Sequence, residues 1–313
     1  MVGIVILNFN NPQITINCIE SIERWNSYPC KIAIVDNAST DNSVAVLDSY
    51  LNELTNCNYH RQVGLEEHLL NIPKYSLLIS KQNTGYAQGN NVGCFYFDCD
   101  VEVDYILILN NDTIFIQDII PPMVNFQMNH SDCAITNVLL LKKDGVSIEF
   151  NTARNNCTIG ELLCLYAHLN QRYLEHNKRN QILANNPELL DYDSLEVEIP
   201  MGSCLLLKKT IFRQLGYFDT HTFLYFEENI LFAKIKRMGL KNYLLPKYKL
   251  IHIGGATINQ TKFNYFQEMK RSYSSYYYGL NYSGMSVLMK PLFILLYYFH
   301  LIILNIKYAL SKI

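Results

Sequence analysis

Four short apolar runs in the first 112 residues each lead to asparagine, aspartate or glycine. In an open α/β sheet, ligands bind beyond the carboxyl ends of the strands, so these side chains are expected to line one polar cleft. Carboxylates there could hold a divalent cation, and amide groups could hydrogen-bond a polar ligand. The residues at the four ends are Asn8 and Asn10, Asp36 and Asn37, Asn83 and Gly85, and Asn110, Asn111 and Asp112.

Two further polar motifs lie late in the chain. Glu227 and Glu228 follow an aromatic run and precede a predicted helix, whose amino-terminal dipole favours ionised carboxylates. Either glutamate could act as a general base. His252 ends a predicted strand just before Gly254, and a neutral imidazole there could ligate a metal. Each motif taken alone also fits a purely structural role, either balance of charge at a helix start or a lone packed histidine.

The elements that must position these residues alternate between strand and helix. Asn11-Pro12 is typical of a helix start, and Ile14, Cys18 and Ile22 recur at helical spacing after it. This alternation predicts an α/β fold with a mainly parallel central sheet flanked by helices. Strands are expected at 2–7, 31–35, 76–80 and 104–109, and helices at 12–25, 44–54, 66–70 and 85–97.

The pattern becomes less regular after Asp112. Residues 151–198 are polar and mostly helical in pattern, which indicates a helical insertion or lid. The rest of this part again mixes short apolar runs with helical spacing. Strands are expected at 133–142, 145–150, 204–207, 243–245 and 249–253, and helices at 210–215 and 229–238.

Composition indicates a folded protein, with 49% hydrophobic and 17% charged residues. The nine cysteines have no Cys-x-x-Cys spacing, which favours buried reduced thiols over a zinc site. The first residues form a predicted strand and lack a basic start and a cleavage site, so no signal peptide is expected. We therefore expect a cytoplasmic location for the catalytic body.

The carboxyl-terminal segment differs in charge from the rest of the chain. Residues 259–313 carry six basic residues and one glutamate, a net +5, which leaves −7 on the remainder of a chain with net charge −2. Val287–Ile306 is almost wholly apolar or aromatic. A basic apolar segment favours contact with an anionic membrane surface, and the absence of an arginine-rich stripe argues against nucleic acid. Tyr297, Tyr298 and His300 lie in the middle of the segment, and tyrosines favour the membrane interface, so an in-plane anchor with Lys307 and Lys312 at the headgroups is expected. A membrane-spanning helix and a buried core helix stay open as alternatives.

The order of the motifs resembles the inverting GT-A glycosyltransferases of family 2, especially their rhamnosyltransferase-like branch. The resemblance covers roughly residues 1–258 without the insertions. It places a nucleotide-sugar-binding half at 1–112, an acceptor-binding and catalytic half at 113–258, and a membrane-associating helical segment at 259–313. The resembling residues are Val5–Asn10, Val35–Asp41, Asn83–Gly93, Leu109–Asp112, Gly202–Ser203, Gly216–Asp219, Phe226–Glu228, and His252 with Gly254.

The resemblance implies transfer of one sugar from a UDP- or dTDP-linked donor to a hydroxyl of a surface-glycan or lipid-linked acceptor. It implies Mg²⁺ or Mn²⁺ held by Asp112 and His252, although Asn110 replaces the first Asp of the family's Asp-x-Asp motif. It makes Glu228 the base, with Glu227 as the alternative, and it makes Asp36 the reader of the nucleobase. The other implied donor-binding residues are Asn8, Asn10, Asn37, Asn83, Gly85, Asn90 and Asn111.

Three rival functions make different demands on the sequence. A processive polysaccharide synthase on the same fold carries a Gln-x-x-Arg-Trp motif, and the only tryptophan here is Trp25. A nucleotidyltransferase needs a basic loop after the first strand, and residues 8–12 contain no lysine or arginine. A non-catalytic nucleotide-sugar binding protein stays open. The expected location is the inner face of the cell membrane, to which the protein would bind peripherally, and the oligomeric state is left open.

Overall fold

The computed structural model describes residues 1–64, 71–169, 181–254 and 264–311. The predicted helix at 66–70 lies outside these ranges. The strands are β1 (Val2–Asn8), β2 (Cys30–Asp36), β3 (His60–Val63), β4 (Tyr75–Ile79), β5 (Tyr105–Asn110), β6 (Thr113–Phe115), β7 (Cys133–Leu141), β8 (Ala153–Arg154), β9 (Leu195–Val197), β10 (Ile199–Pro200), β11 (Cys204–Lys208) and β12 (Lys241–His252).

The described helices flank these strands, and three 3₁₀ turns occur at Phe150–Thr152, Pro187–Asp191 and Val287–Met289. The helices are α1 (Pro12–Trp25), α2 (Ser43–Thr55), α3 (Gly85–Asp98), α4 (Ile120–Asn129), α5 (Ile159–Tyr166), α6 (Ile182–Asn185), α7 (Lys209–Gln214), α8 (Glu227–Arg237), α9 (Tyr265–Asn281) and α10 (Lys290–Leu310).

One ten-stranded sheet forms the centre of the fold, in the order β3-β4-β2-β1-β5-β11-β7-β12-β6, with β9 paired to β12. In this half of the sheet, neighbouring strands are all parallel, and the strands are β3, β4, β2, β1 and β5. Beyond β5 the sheet is mixed, because β11 runs antiparallel to both of its neighbours while β7 and β12 pair in parallel. The predicted α/β class with a large central sheet is confirmed.

The sheet is covered on both faces, which explains why its central strands are apolar throughout. Successive residues of a strand point to opposite faces, and β5 shows this alternation. Leu107 and Leu109 pack into a core shared with α1, α2 and α4. Ile106 and Ile108 pack into a second core shared with α3, α7 and α8. The chain is thus a helix–sheet–helix sandwich.

The strand registers place the polar carboxyl ends of β1, β2 and β5 side by side. Asn8 pairs with Asp36 across β1 and β2, and Leu7 pairs with Asn110 across β1 and β5. Because adjacent strands lie about 4.8 Å apart, the ends of β2, β1 and β5 fall within about 10 Å of one another. At the far edge of the sheet, His252 pairs with Thr113, the residue after Asp112.

Several local predictions were wrong. The expected strands at 243–245 and 249–253 form one strand, β12, whose register against β7 shifts between Leu245 and Lys249. This irregularity spans Pro246, which cannot donate to a ladder hydrogen bond. In the described part of the 151–198 segment, the helices α5 and α6 and two 3₁₀ turns account for most of the regular structure, and the short strands β8 and β9 account for the rest. Edge strand β3 was not predicted, because His60–Val63 lacks an apolar pattern. All nine cysteines lie in the described residues as free thiols.

The carboxyl-terminal helices form a separate layer. α10 packs on α5 and α9 through a cluster that includes Tyr166, Tyr278, Phe293 and Tyr297. The residues Val287–Leu310 form the one helix of the described chain that is long and apolar enough to cross a membrane. A helix over the predicted apolar segment is therefore present.

Candidate active site

A chain of hydrogen bonds connects the ends of β5, β1 and β2. The Asn111 amide donates to the Thr15 hydroxyl at 2.9 Å, and Thr15 donates to Asn8 Oδ1 at 2.6 Å. Asn8 Nδ2 in turn donates to Asp36 Oδ2 at 2.8 Å. Asn8 and Asp36 are fully buried, so this chain fixes the relative positions of three strand ends. Thr15, on α1, was not identified from the sequence.

Asp36 also shapes the turn that follows β2. Its carboxylate accepts hydrogen bonds from the Ser39 amide at 2.9 Å and from the Ser39 hydroxyl at 2.6 Å. The Asn10 amide donates to the same hydroxyl at 2.8 Å, and Asn10 Oδ1 accepts from the Thr40 amide at 2.9 Å. Two loops are thereby bound together. Asp36 lies beneath Ser39, whereas Asn10 is partly exposed at the cleft surface. Base recognition by Asp36 stays a prediction.

The predicted amides after β2 and β4 are joined to the start of α3. Asn37 Nδ2 donates to Asn83 Oδ1 at 3.2 Å and to the Gly85 carbonyl at 3.1 Å, while its oxygen accepts from the Thr84 amide at 3.1 Å. Asn90 is buried one turn into α3, and its Oδ1 has no hydrogen-bond partner. These residues hold the amino terminus of α3 against the end of β2.

Asp112 and His252 meet at the other side of the cleft. His252 Nε2 lies 3.4 Å from Asp112 Oδ1, and the Ile253 amide donates to the Asp112 carbonyl at 2.8 Å. Both side chains are about nine-tenths buried. Asp112 Oδ1 and His252 Nδ1 are buried without a hydrogen-bond partner. Buried polar atoms normally have partners, so each of these two atoms is a candidate for contact with a bound ligand.

Glu228 lies beside the start of β11. Its Oε1 accepts a hydrogen bond from the Gly202 amide at 3.1 Å, and Arg154 Nη2 lies 4.0 Å away. A methyl group on Gly202 would lie 2.9 Å from that carboxylate, so any larger residue there would displace the Glu228 side chain. The Asn110 amide donates to the carbonyl of the next residue, Ser203, at 3.0 Å. Glu228 is therefore connected to the end of β5 through two consecutive residues.

Glu227 differs from its neighbour in burial. Its side chain points into the interior, where Oε2 has no partner. Burial, and secondly the charge of Glu228, raise the pKa of Glu227 well above its usual range. Burial, followed by the nearby charges of Glu228 and Glu227, likewise raises the pKa of Tyr86, whose hydroxyl donates to the Gly202 carbonyl at 2.6 Å. Tyr86 and Arg154 complete this side of the site.

A strained turn presents the two glutamates. Tyr225 and Phe226 both have left-handed backbones, with φ of +72° and +66°, which bulky residues rarely adopt. Such strain persists only where the surroundings hold it, and it is concentrated at functional sites. On one side, the Tyr86 amide donates to the Phe223 carbonyl at 2.9 Å. On the other, Ser274 of α9 donates to the Leu224 carbonyl at 2.8 Å.

The structure brings the predicted residues together along one edge of the sheet. Asp36, Asn8 and Asn111 belong to one hydrogen-bonded network. Asp112 is linked to this network because it directly follows Asn111 in the sequence. Glu228 reaches the same edge through Gly202. Arg154 could not be identified from the sequence, because it belongs to no motif. Tyr86 and Ser39 lie within the motifs Asn83–Gly93 and Val35–Asp41. Their hydrogen-bonding roles could not be predicted, because they depend on contacts between distant segments.

A divalent cation fits the donors at Asp112 and His252 in part. Oxygen ligands suit Mg²⁺ and Mn²⁺, and imidazole is a common metal ligand. Within the described ranges, no group of three or more histidine, cysteine, aspartate or glutamate side chains could hold a metal. A cation here would thus take two protein donors and complete its coordination with ligand oxygens, as Mg²⁺ does with substrate phosphates.

Comparisons with known proteins identify the family and the fold. The Glycosyl transferase family 2 model matches residues 3–216. A hexosyltransferase of low-salt glycan biosynthesis, Agl10 of Haloferax volcanii, is 22% identical over 181 residues, which cover 58% of this chain. The aligned part is 52% of that relative, so the chain spans about half of its length.

Solved structures support the fold. GalNAc-T7, crystallised with UDP, GalNAc and Mn²⁺, aligns at a TM-score of 0.56 and 13% identity, covering 81% of this chain and 44% of that one. TarS of S. aureus aligns at 0.51 and 12%, covering 94% and 42%. Likeness at such identity shows the fold alone, and it confirms the expected GT-A architecture. Because the family model matches more than half of the chain, including every predicted residue from Asn8 to Asp112, this protein belongs to glycosyl transferase family 2.

Proposed function

We propose that this protein is an inverting glycosyltransferase that moves one sugar from a nucleoside-diphosphate sugar to an acceptor hydroxyl. The observation that carries the proposal is the placement of the Asp112–His252 pair and Glu228 beside one hydrogen-bonded set of strand ends. In this proposal residues 1–112 bind the donor, and residues 113–258 bind the acceptor and carry the base. The donor base is uracil or thymine, and a rhamnose-like sugar fits the branch that the motifs resemble.

Glu228 is the better candidate for the base. A base must be ionised before it accepts a proton, and the raised pKa of Glu227 favours its protonated form. Glu228 is 15% exposed, while Arg154 places a positive charge 4.0 Å from its carboxylate. The Gly202 amide holds one oxygen in position. The base removes the acceptor proton while the hydroxyl attacks the anomeric carbon from the face opposite the leaving diphosphate, which inverts that carbon in one displacement.

Asp112 and His252 are proposed to hold Mg²⁺ or Mn²⁺. When bound, such a cation offsets the negative charge that develops on the leaving diphosphate. The protein contributes the two donors and their fixed positions, since Asp112 precedes β6 and His252 ends β12, and these two strands pair directly. Asn8, Asn10, Asn37, Asn83, Gly85, Asn90 and Asn111 are proposed to shape the donor pocket, with Asp36 reading the base.

The acceptor is proposed to be a surface glycan or a lipid-linked glycan. The relative from low-salt glycan biosynthesis supports a role in glycan assembly. The apolar helix α10 and the basic tail support a location at the inner face of the cell membrane. Reaction there would present the cleft to cytoplasmic nucleotide sugars and to a membrane-borne acceptor.

A screen of nucleotide sugars tests the proposal. We expect one UDP- or dTDP-linked sugar to raise the melting temperature only with Mn²⁺ or Mg²⁺, because a ligand that binds only the folded state stabilises it by mass action. The same sugar should then be transferred or slowly hydrolysed. Stabilisation without any turnover would support a non-catalytic binding protein, and no response to any nucleotide sugar would reject both functions.

A further inference from the structure

Helix α10 has two apolar faces, and only one of them packs on the protein. Phe293, Tyr297, His300 and Leu304 face inward against α5 and α9 and are buried. The opposite face is formed by side chains that are 49–66% exposed. These are Leu292, Leu295, Tyr298, Phe299, Ile302, Ile306 and Leu310.

The outer face of α10 is long and uncharged. From Leu292 to Leu310 it extends about 27 Å along the helix. At 100° per residue, Lys290 and Lys307 lie outside it on the two flanks of the helix, about 60–80° from its edges. Soluble proteins rarely expose a continuous apolar surface of this length, so it marks a contact with another apolar phase or molecule. These basic flanks lie in the segment whose net charge is +5.

The inner face of α10 argues against a helix that crosses a bilayer. Near its carboxyl end, α10 is joined to α9 by the hydrogen bond from the Tyr265 hydroxyl to Asn305 at 2.7 Å and by the stacking of Tyr265 on Tyr308 at 4.2 Å. α9 also carries the exposed ion pair of Arg271 with Glu268. A spanning α10 would draw these charges into hydrocarbon, which is costly.

We propose that the outer face of α10 lies in the plane of an anionic lipid bilayer and is the surface by which the protein docks there. An in-plane helix buries its apolar face below the headgroups and keeps its basic flanks at their level. A second copy of the chain is a poorer occupant. In a two-fold pairing the same surface meets itself, so Lys290 and Lys307 would approach the equivalent lysines of the other copy.

Docking by α10 also sets the direction of the cleft. α9 lies between α10 and the strained turn that presents Glu228. Lys270 of α9 stacks over the Phe223 ring at 3.5 Å, and the Tyr277 hydroxyl donates to Asp219 at 3.1 Å. The glutamate-bearing turn is therefore fixed relative to the membrane surface. That this geometry serves a lipid-linked acceptor rests on the proposed function, whereas the docking itself does not.

Vesicle sedimentation tests the surface without any need for turnover. We expect the full chain to sediment with vesicles containing 30% phosphatidylglycerol about tenfold more strongly than with pure phosphatidylcholine, because each lysine at the surface adds to the attraction of anionic lipid. Leu295→Glu with Ile302→Glu should weaken sedimentation about 100-fold. Val101→Glu, at a residue 89% exposed beyond the opposite end of the sheet, is the matched control and should change nothing.

The charged flanks give a second, milder variant. Lys290→Gln with Lys307→Gln should remove most of the preference for anionic vesicles and leave the apolar face intact. If the wild-type chain stays in the supernatant with both vesicle types, the proposal is wrong. The proposal is also wrong if the wild type is a dimer in sedimentation equilibrium, and Leu295→Glu with Ile302→Glu dissociates that dimer but leaves vesicle binding unchanged. Nucleotide-sugar stabilisation of each variant, measured in solution, reports separately on the proposed function.

Depth measurements separate an in-plane helix from a spanning one. Trp25→Phe removes the only tryptophan, and single tryptophans can then replace Leu292, Phe299 or Leu310. With lipids brominated near the headgroup or deep in the chain, an in-plane helix predicts similar shallow quenching at all three positions. A spanning helix predicts deep quenching at Phe299→Trp alone, and that result would overturn the proposal.

Discussion

The two sides of the candidate cleft differ in how their polar groups are satisfied. At the ends of β1 and β2, the side chains of Asn8, Asp36 and Asn37 all have hydrogen-bond partners within the protein. On this side, Asn90 Oδ1 on the adjacent α3 is the exception. Where β6, β11, β12 and α8 meet, several buried polar atoms have none. These are Asp112 Oδ1, His252 Nδ1, Ser203 Oγ, Glu227 Oε2 and Arg154 Nε.

This difference separates a scaffold from a reactive centre. A satisfied network fixes geometry, and its value lies in the conformation that it enforces. Buried atoms without partners cost stability, and use by a ligand or a reaction is one reason for a protein to keep them. The first side should therefore respond to mutation mainly in stability and donor affinity, and the second mainly in turnover.

The largest expected effect is on turnover at the second side. Glu228→Gln should lower the rate of sugar transfer about 1000-fold and leave donor binding unchanged, since a general base contributes about 10²–10⁴ in rate. Glu227→Gln is the matched control, because it makes the same change one residue earlier. If Glu227→Gln abolishes transfer and Glu228→Gln does not, the assignment is wrong by one position.

The next effect concerns the contact that joins the two sides. Gly85→Ala should lower the free energy of unfolding by about 3 kcal/mol, because its φ is +83° and the new methyl group would lie 2.0 Å from the Phe223 oxygen. Gly239→Ala shares a positive φ of +70° and meets no atom within 4 Å, so it should cost only about 1 kcal/mol. Urea unfolding measures both. Equal losses would show that the contact with Phe223 contributes nothing.

A smaller effect should follow from breaking the scaffold network. Thr15→Val removes the hydroxyl between Asn111 and Asn8 and leaves the buried Asn8 oxygen without that donor. We expect a loss of about 2 kcal/mol in unfolding free energy, with turnover per folded molecule changed less than about threefold. Thr55→Val removes a hydroxyl bonded only to a helix carbonyl and should cost under about 0.5 kcal/mol. A large loss of turnover in stable Thr15→Val protein would contradict the division into two sides.

The smallest effect is a pH dependence at Glu227. Its raised pKa means that the folded state binds the proton more tightly than the unfolded state. Its contribution to stability is therefore complete below the unfolded pKa of about 4.3 and is lost as pH rises toward the folded pKa. The melting temperature of Glu227→Gln should equal that of the wild type near pH 4 and exceed it by about 2–4 °C at pH 8. A difference that does not change with pH would show that Glu227 is not held protonated by burial.

The sequence predicted the parallel half of the sheet well. Continuous apolar runs such as Tyr105–Leu109 are required in strands covered on both faces, and each was followed by polar residues. The irregular parts escaped prediction for physical reasons. His60–Val63 is an edge strand without an apolar pattern. Strand β12 continues past Pro246 because β7 pairs with it both before and after that proline.

The site was predictable where residues cluster in motifs, and less so where tertiary contacts assemble it. Asp112 and His252 are 140 positions apart, yet both stand at strand ends, and the resemblance joined them. Arg154 follows no motif, and its relation to Glu228 depends on the pairing of β8 with β10. Adjacent Glu227 and Glu228 are indistinguishable in a sequence, because only burial separates them.

Calorimetric titration with UDP and dTDP tests most directly whether the two sides converge on one nucleoside diphosphate. We predict that Mn²⁺ tightens binding of one of them at least about tenfold in the wild type, and that Asp112→Asn and His252→Ala both abolish this gain. Asp144→Asn, at an exposed turn bonded to Ser147, serves as the matched control and should retain it. Diphosphate binding that is indifferent to Mn²⁺ and to both substitutions, or no binding at all, would contradict the account.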